Sequence, residues 1–119
     1  MSKKVLLIED NEDIANVLTK RLQMKGYEVR HLVNGFDVLA MMSGEDEPRA
    51  IILDLMIPGR SGVELLNSIK VKWAAAKIFI FSAYQNYENS IPPGSTEGFF
   101  LKSDGSDRLI RALEKSRIR

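Results

Sequence analysis

Val5-Leu6-Leu7-Ile8-Glu9-Asp10-Asn11-Glu12 is the stretch that decides how this chain folds. Residues 4–8 read as a strand buried on both faces, because the apolar run shows no polar alternation. The period then changes. From Asn11 onward Ile14, Val17, Leu18 and Leu22 fall at i, i+3, i+4 and i+8, one face of a helix. Gly26 stops that helix in the manner of a glycine just past its last turn. A buried strand feeding directly into an amphipathic helix is the opening of a parallel α/β sheet.

The same alternation runs on. Glu28-Val29-Arg30-His31-Leu32 alternates polar and apolar, which suits an edge strand. Asn34-Gly35 turns the chain into a second helix carrying Val38, Leu39 and Met42 and finishing around Gly44; the polar stretch Glu45–Arg49, with Pro48, reads as loop. Ala50–Leu53 is a third strand, Pro58-Gly59-Arg60-Ser61-Gly62 a loop, and Leu65, Leu66, Ile69 and Trp73 mark the core side of a third helix. Strands follow at about Lys77–Phe81 and Gly98–Leu101, and a last helix after Asp104 turns Leu109, Ile110 and Leu113 inward. Right-handed crossovers then give a parallel sheet covered on both faces. One segment breaks the rhythm. Between the fourth and fifth strands, Pro92-Pro93-Gly94 cannot lie inside a helix. Only about residues 84–91 can be helical, so a short, frayed helix or an irregular mobile loop is expected there.

At 119 residues, 45% apolar and 28% charged, the chain has the size and composition of one soluble globular domain spanning 1–119. A formal net charge of +1 offers no electrostatic argument for nucleic acid or for a membrane surface. The basic cluster Arg108, Arg111, Lys115, Arg117 and Arg119 reads as the solvated face of the final helix. There is no cysteine, which removes disulfides and thiolate metal sites. No stretch reaches the roughly 20 apolar residues of a membrane span. Met-Ser-Lys-Lys-Val runs straight into a strand, leaving no room for a signal peptide, and the location expected is cytoplasmic.

Glu9, Asp10, Asp54, Ser82 and Lys102 each stand at the end of an apolar run. In parallel strands, all of them project from one rim. With a strand order of 2-1-3-4-5, Glu9, Asp10 and Asp54 flank the point where the order reverses, where open α/β sheets bind ligands. Taken singly, each has an ordinary reading: Glu9-Asp10 as a solvated turn or helix N-cap, Asp54 as a cap or a site, Ser82 as a turn cap, Lys102 as surface. Their alignment at strand ends makes a site the better reading. Like charges about 4 Å apart repel by roughly 4 kcal/mol at an effective dielectric of 20, so the acids call for a cation. Hard oxygens without His or Cys point to Mg²⁺ or Mn²⁺. Beside such a metal one carboxylate can attack phosphorus. Lys102 and the Ser82 hydroxyl then meet the charge of the phosphoryl oxygens, and Ala83 leaves room for the group.

Val5–Glu12, Asp54-Leu55-Met56-Ile57-Pro58-Gly59 with Gly62, Phe81-Ser82-Ala83 and Phe100-Leu101-Lys102 resemble the receiver domain of bacterial two-component response regulators, over essentially the whole chain. The resemblance implies a flavodoxin-like (βα)5 fold and phosphorylation of Asp54 by a histidine kinase or phosphotransfer protein. It implies Mg²⁺ held directly by Asp10 and Asp54, by the Met56 backbone carbonyl, and by Glu9 through water. Ser82 would hydrogen-bond the phosphoryl group, Lys102 would pair with it, and Phe99 stands at the switch aromatic. The fourth helix, fifth strand and fifth helix would form the face that changes affinity for a downstream protein, in a monomer or weak dimer. Met56 and Tyr84 stand where the family tunes access of water to the phosphate; both are bulky, which predicts slow dephosphorylation.

The weak fourth helix is the largest departure from that pattern and suggests an output face that is flexible or folds against a partner; two others stand out. Ser103 occupies a position usually held by Pro, and since a non-proline cis bond costs about 2.5–4 kcal/mol, Lys102–Ser103 is expected to be trans. Phe99 lacks a phenolic hydroxyl, so its inward position is expected to dominate even before phosphorylation. His31, in the edge strand, is expected to be surface or half-buried and far from the rim; Met41, Met42 and Trp73 are expected to pack. No output domain is expected after the last helix. Two rival functions remain: a pseudo-receiver that binds without being phosphorylated, and a Mg²⁺ phosphohydrolase. The second lacks an acid two residues after Asp54, where Met56 stands. The expectation is a signalling switch, not an enzyme.

Overall fold

The computed structural model describes residues 3–44, 47–57 and 61–116, apart from the side chain of Asn86. Its elements follow in the order β1 (Lys3–Ile8), α1 (Glu12–Met24), β2 (Tyr27–Leu32), α2 (Gly35–Met42), β3 (Ala50–Leu53), α3 (Gly62–Lys72), β4 (Lys77–Ser82), β5 (Gly98–Leu101) and α4 (Asp107–Lys115). All four strand pairs are parallel, in the order β2-β1-β3-β4-β5. This is the flavodoxin-like arrangement expected.

The apolar runs are buried on both sides, and alternate residues serve opposite faces. Leu6, Ile8, Ile51, Leu53, Ile78 and Ile80 pack with Val38 and Met41 of α2 and with Leu65, Leu66 and Ile69 of α3, a layer that also takes Met42 and Trp73. Val5, Leu7, Ile52, Phe79 and Phe81 pack on the other face with Ala15, Leu18 and Leu22 of α1 and Leu109, Ile110 and Leu113 of α4. At about 1.5–3 kcal/mol for each fully buried aliphatic or Phe side chain, these two layers are the main stabilising contribution. α1 and α4 are also joined by polar contacts: Arg21 reaches the Ser106 hydroxyl and pairs with Asp107 at 2.6 Å, and Lys25 pairs with Glu114 at 3.5 Å. Arg108, Arg111 and Lys115 are exposed, as expected of a solvated face, while Arg117 and Arg119 lie outside the described residues.

Helix ends follow their residues. The Asn11 side chain caps α1 by accepting from the Ile14 N–H at 3.0 Å, and Asn34 caps α2 by accepting from Asp37 at 2.9 Å. Gly26, with φ of +92°, donates its N–H to Gln23 and ends α1 as expected.

Several expectations need correction. β1 starts at Lys3, β2 at Tyr27, and β4 runs on to Ser82. The last helix does not follow Asp104 directly: Lys102–Asp104 forms a 3₁₀ turn, and Ser106 precedes α4. Gly62, expected in the loop, is the first residue of α3. Its role is steric. A Cβ there would touch the Leu55 Cα and sit 2.5 Å from the Leu55 carbonyl oxygen and 2.8 Å from its carbonyl carbon. Backbone atoms cannot yield as a flexible side chain does. Gly62→Ala is therefore expected to lower stability by about 1–3 kcal/mol or more, read as a reduced urea midpoint at unchanged slope.

The fourth crossover holds no α-helix. Gln85–Ser90 is a 3₁₀ helix, and residues 91–97 run irregularly to β5. Pro92 and Pro93 lack amide hydrogens, which ends any helix entering them. Pro58, Gly59, Arg60, Glu45 and Asp46 of the expected loops lie outside the described residues.

Candidate functional site

β1, β3, β4 and β5 each carry candidate residues at the carboxyl end. Glu9 and Asp10 follow β1, Asp54 follows β3, Ser82 closes β4 and Lys102 follows β5. The Asp54 N–H donates to the Ile8 carbonyl at 3.0 Å, which ties the ends of the two central strands together. Glu9 is 1% exposed and Asp54 3% exposed, while Asp10 is open to solvent. One carboxylate oxygen from each of the three lies within 4.8 Å of the others.

Lys102 holds the two buried acids. Its Nζ lies 2.7 Å from Asp54 Oδ2 and 2.7 Å from Glu9 Oε1, and donates to Glu9 Oε2 at 3.0 Å. The other Asp54 oxygen, Oδ1, accepts from the Met56 N–H at 2.9 Å. Glu9 Oε2 also accepts from the Asn11 N–H at 3.1 Å, whereas the buried Glu9 Oε1 accepts no properly directed hydrogen bond. Burial pushes the Glu9 carboxyl above its ordinary 4.5; the Lys102 hydrogen bond and the Asn11 N–H pull the other way, and the charge on Asp54 adds to the rise. For Lys102, burial works to lower the pKa, but the hydrogen bonds and charges of Asp54 and Glu9 together outweigh it and raise it above 10.5. One lysine between two acids leaves this cluster negative, with an exposed third acid beside it. Three carboxylates with oxygens this close together, and a donor set of hard oxygens, fit a small hard cation.

Ser82 is fully buried, and its hydroxyl is engaged within its own turn: it accepts from the Tyr84 N–H at 3.2 Å and donates to the Tyr84 carbonyl at 3.4 Å. Ala83 is exposed. Met56 and Tyr84 are about half exposed, and the Tyr84 ring meets Tyr87 edge-on at 6.2 Å. Phe99 is half-buried against the α2–α3 side of the sheet, as are Tyr87 and Ile91. None of the described residues has a cis peptide bond, so Lys102–Ser103 is trans.

Two site neighbours escaped the sequence reading. Asn11 supplies an N–H to Glu9 while capping α1. His31 is half-buried as expected, but it is not far from the rim: its Nε2 lies 2.6 Å from the Glu9 carbonyl oxygen. The missing signal was register. Pairing of His31 with Leu7 puts the imidazole two residues short of Glu9, within one side-chain length.

A parallel sheet covered on both faces, with carboxylates and a lysine gathered at the carboxyl ends of its strands, is the arrangement in which open α/β domains bind ligands. The family model described as response regulator receiver domain matches residues 5–114, and the chain belongs to that family. The fold is shared with solved structures. The response regulator TrrA from Thermotoga maritima, crystallised in complex with Mg²⁺-BeF, is 32% identical, with 95% of this chain and 97% of that chain covered and a TM-score of 0.83. TrrA in complex with the histidine kinase ThkA gives 30% identity, 95% and 97% coverage and a TM-score of 0.82. A CheY-like receiver domain protein from Methanospirillum hungatei JF-1, at 21% identity, covers 98% and 94% with a TM-score of 0.87 and speaks to the fold alone. No helix among the described residues is long and apolar enough to cross a membrane.

Proposed function

We propose that this chain is one receiver domain over residues 1–119 that accepts a phosphoryl group on Asp54 from a histidine kinase or phosphotransfer protein, and that it acts as a cytoplasmic signalling switch rather than an enzyme. The observation that carries the reading is Lys102 clamped between buried Asp54 and Glu9, with Asp10 alongside. The likeness to a regulator crystallised with Mg²⁺-BeF, and with a histidine kinase, supports the same chemistry.

Asp10, Asp54 and the Met56 carbonyl would hold Mg²⁺ directly and Glu9 through water, with Mn²⁺ able to substitute. Glu9 Oε1 lies 2.7 Å from Lys102 Nζ but accepts no directed hydrogen bond, which leaves it able to accept from such a water. When bound, the ion offsets negative charge on the carboxylates and the incoming phosphoryl oxygens. Asp54 supplies the attacking oxygen; the phosphorus–nitrogen bond of the donor phosphohistidine breaks, and its imidazole leaves. The Met56 N–H and Lys102 keep the Asp54 carboxylate oriented before attack. Lys102 then pairs with the phosphoryl group, beside which Ala83 leaves space. A phosphoryl oxygen is a stronger acceptor than a carbonyl 3.4 Å away, so the Ser82 hydroxyl turns to it and gives up Tyr84. The Gln85–Ser90 turn and Phe99 repack in consequence, changing the face made by that turn, β5 and α4 for a downstream protein. This is a population shift between two packings of similar energy.

The test is intact mass after incubation with Mg²⁺ and a small phosphoryl donor. One added phosphoryl group is expected, and none with EDTA. A folded protein that takes up nothing from the donor or from a kinase would instead be a pseudo-receiver, a binding module. Met56 and Tyr84, both bulky and half exposed, are assigned to shielding the acyl phosphate from water. Met56→Asn and Tyr84→Ala are each expected to shorten its lifetime severalfold, followed by loss of the phosphorylated mass; unchanged lifetimes would remove this assignment.

A further inference from the structure

Glu9 lies one residue beyond β1, where the ladders of that strand run out. Both of its backbone groups are nevertheless held by β2. Its N–H donates to the Leu32 carbonyl at 3.0 Å, and its carbonyl lies 2.6 Å from His31 Nε2. β2 ends at Leu32, and Asn34 already caps α2 through its contact with Asp37. Among the described residues no backbone N–H donates to the Glu9 carbonyl, and the imidazole takes that place. A carbonyl can only accept, so Nε2 carries the hydrogen.

We propose that His31 is a positioning residue for the cation site, acting through the peptide that joins Glu9 to Asp10. This rests on the reading of the site as a Mg²⁺-dependent phosphoacceptor. The peptide unit is planar, so holding its oxygen sets the plane from which both acids leave the backbone. One hydrogen bond thus orients two carboxylates, one buried and one exposed, whose oxygens lie within 4.8 Å of each other and of Asp54. The half-buried imidazole at the sheet edge shields that bond in part from competing water. Groups that orient metal ligands from behind affect affinity strongly although they never touch the ion.

The experiment is calorimetric titration of the full chain with MgCl₂, for wild type, His31→Ala, His31→Gln and His31→Asn, with thermal unfolding in EDTA alongside. Gln carries an N–H donor at nearly the reach of Nε2, whereas Asn carries the same amide on a shorter arm. Roughly tenfold weaker Mg²⁺ binding is expected for His31→Ala, with most of it recovered in His31→Gln and little in His31→Asn. If His31→Ala does not fold, the Gln and Asn variants decide alone. Equal affinity in His31→Ala and wild type, or in the Gln and Asn variants, overturns the positioning role and leaves the proposed function standing. A wild-type protein that binds no Mg²⁺ overturns both.

Discussion

Asp54→Ala is expected to take up no phosphoryl group under conditions where the wild-type chain gains one by intact mass. Three carboxylates share the cluster, and they are not equivalent. Glu9 is buried, its pKa is raised by burial, and one of its oxygens is already shared between Asn11 and Lys102. Asp10 is exposed to water. Asp54 is buried and its carboxylate is held by a directed hydrogen bond at each end, one oxygen on the Met56 N–H and the other on Lys102, whereas Glu9 Oε1 accepts none. A nucleophile fixed in this way gains from orientation, which can supply several kcal/mol of the barrier, about 7–11 kcal/mol in the best cases. Asp54→Asn keeps the shape and should be equally inert. Phosphoryl uptake persisting in either variant would transfer the acceptor role to a neighbouring acid.

Lys102→Met is expected to destabilise the metal-free protein by about 3–5 kcal/mol, the usual cost of removing one partner from a buried ion cluster. Lys102 is 14% exposed and its two partners far less, so solvent cannot take its place. Mg²⁺ should restore part of the loss, because the ion replaces the missing charge. The pH dependence has a definite sign. Lys102 has a raised folded-state pKa, so its contribution is full below 10.5 and is lost as pH rises through the higher folded value. Glu9 is also raised, above 4.5, so the folded state binds its proton more readily than the unfolded chain. Stability linked to Glu9 therefore falls as pH rises through that window. Removing Lys102 takes away the largest influence lowering the Glu9 pKa, so the penalty of Lys102→Met should shrink as pH is lowered toward 4.5 and grow toward neutrality. Urea midpoints across this range with EDTA present would show it. A variant as stable as wild type at neutral pH would mean that the two carboxylates do not depend on the lysine.

The alternation of buried strands and amphipathic helices was legible from residue type alone. Val5–Ile8 and Ile51–Leu53 carry no polar alternation because both sheet faces are covered, and that shows in any reading of the chain. The position of Glu9, Asp10, Asp54, Ser82 and Lys102 at strand ends was legible for the same reason, each marking where an apolar run ends. The two prolines at 92 and 93 announced the loss of a helix before β5. What local pattern does not contain is register and reach. Lys102 meets Glu9 from 93 residues away, and His31 meets the Glu9 backbone only because β2 pairs with β1 at one register among several. Gly62 looked like a loop residue, yet the close approach of α3 to the Leu55 backbone forbids it a side chain. Burial preference is a property of each short segment and can be read along the chain. Contacts across strands depend on how those segments are set against one another, and only the tertiary structure decides that.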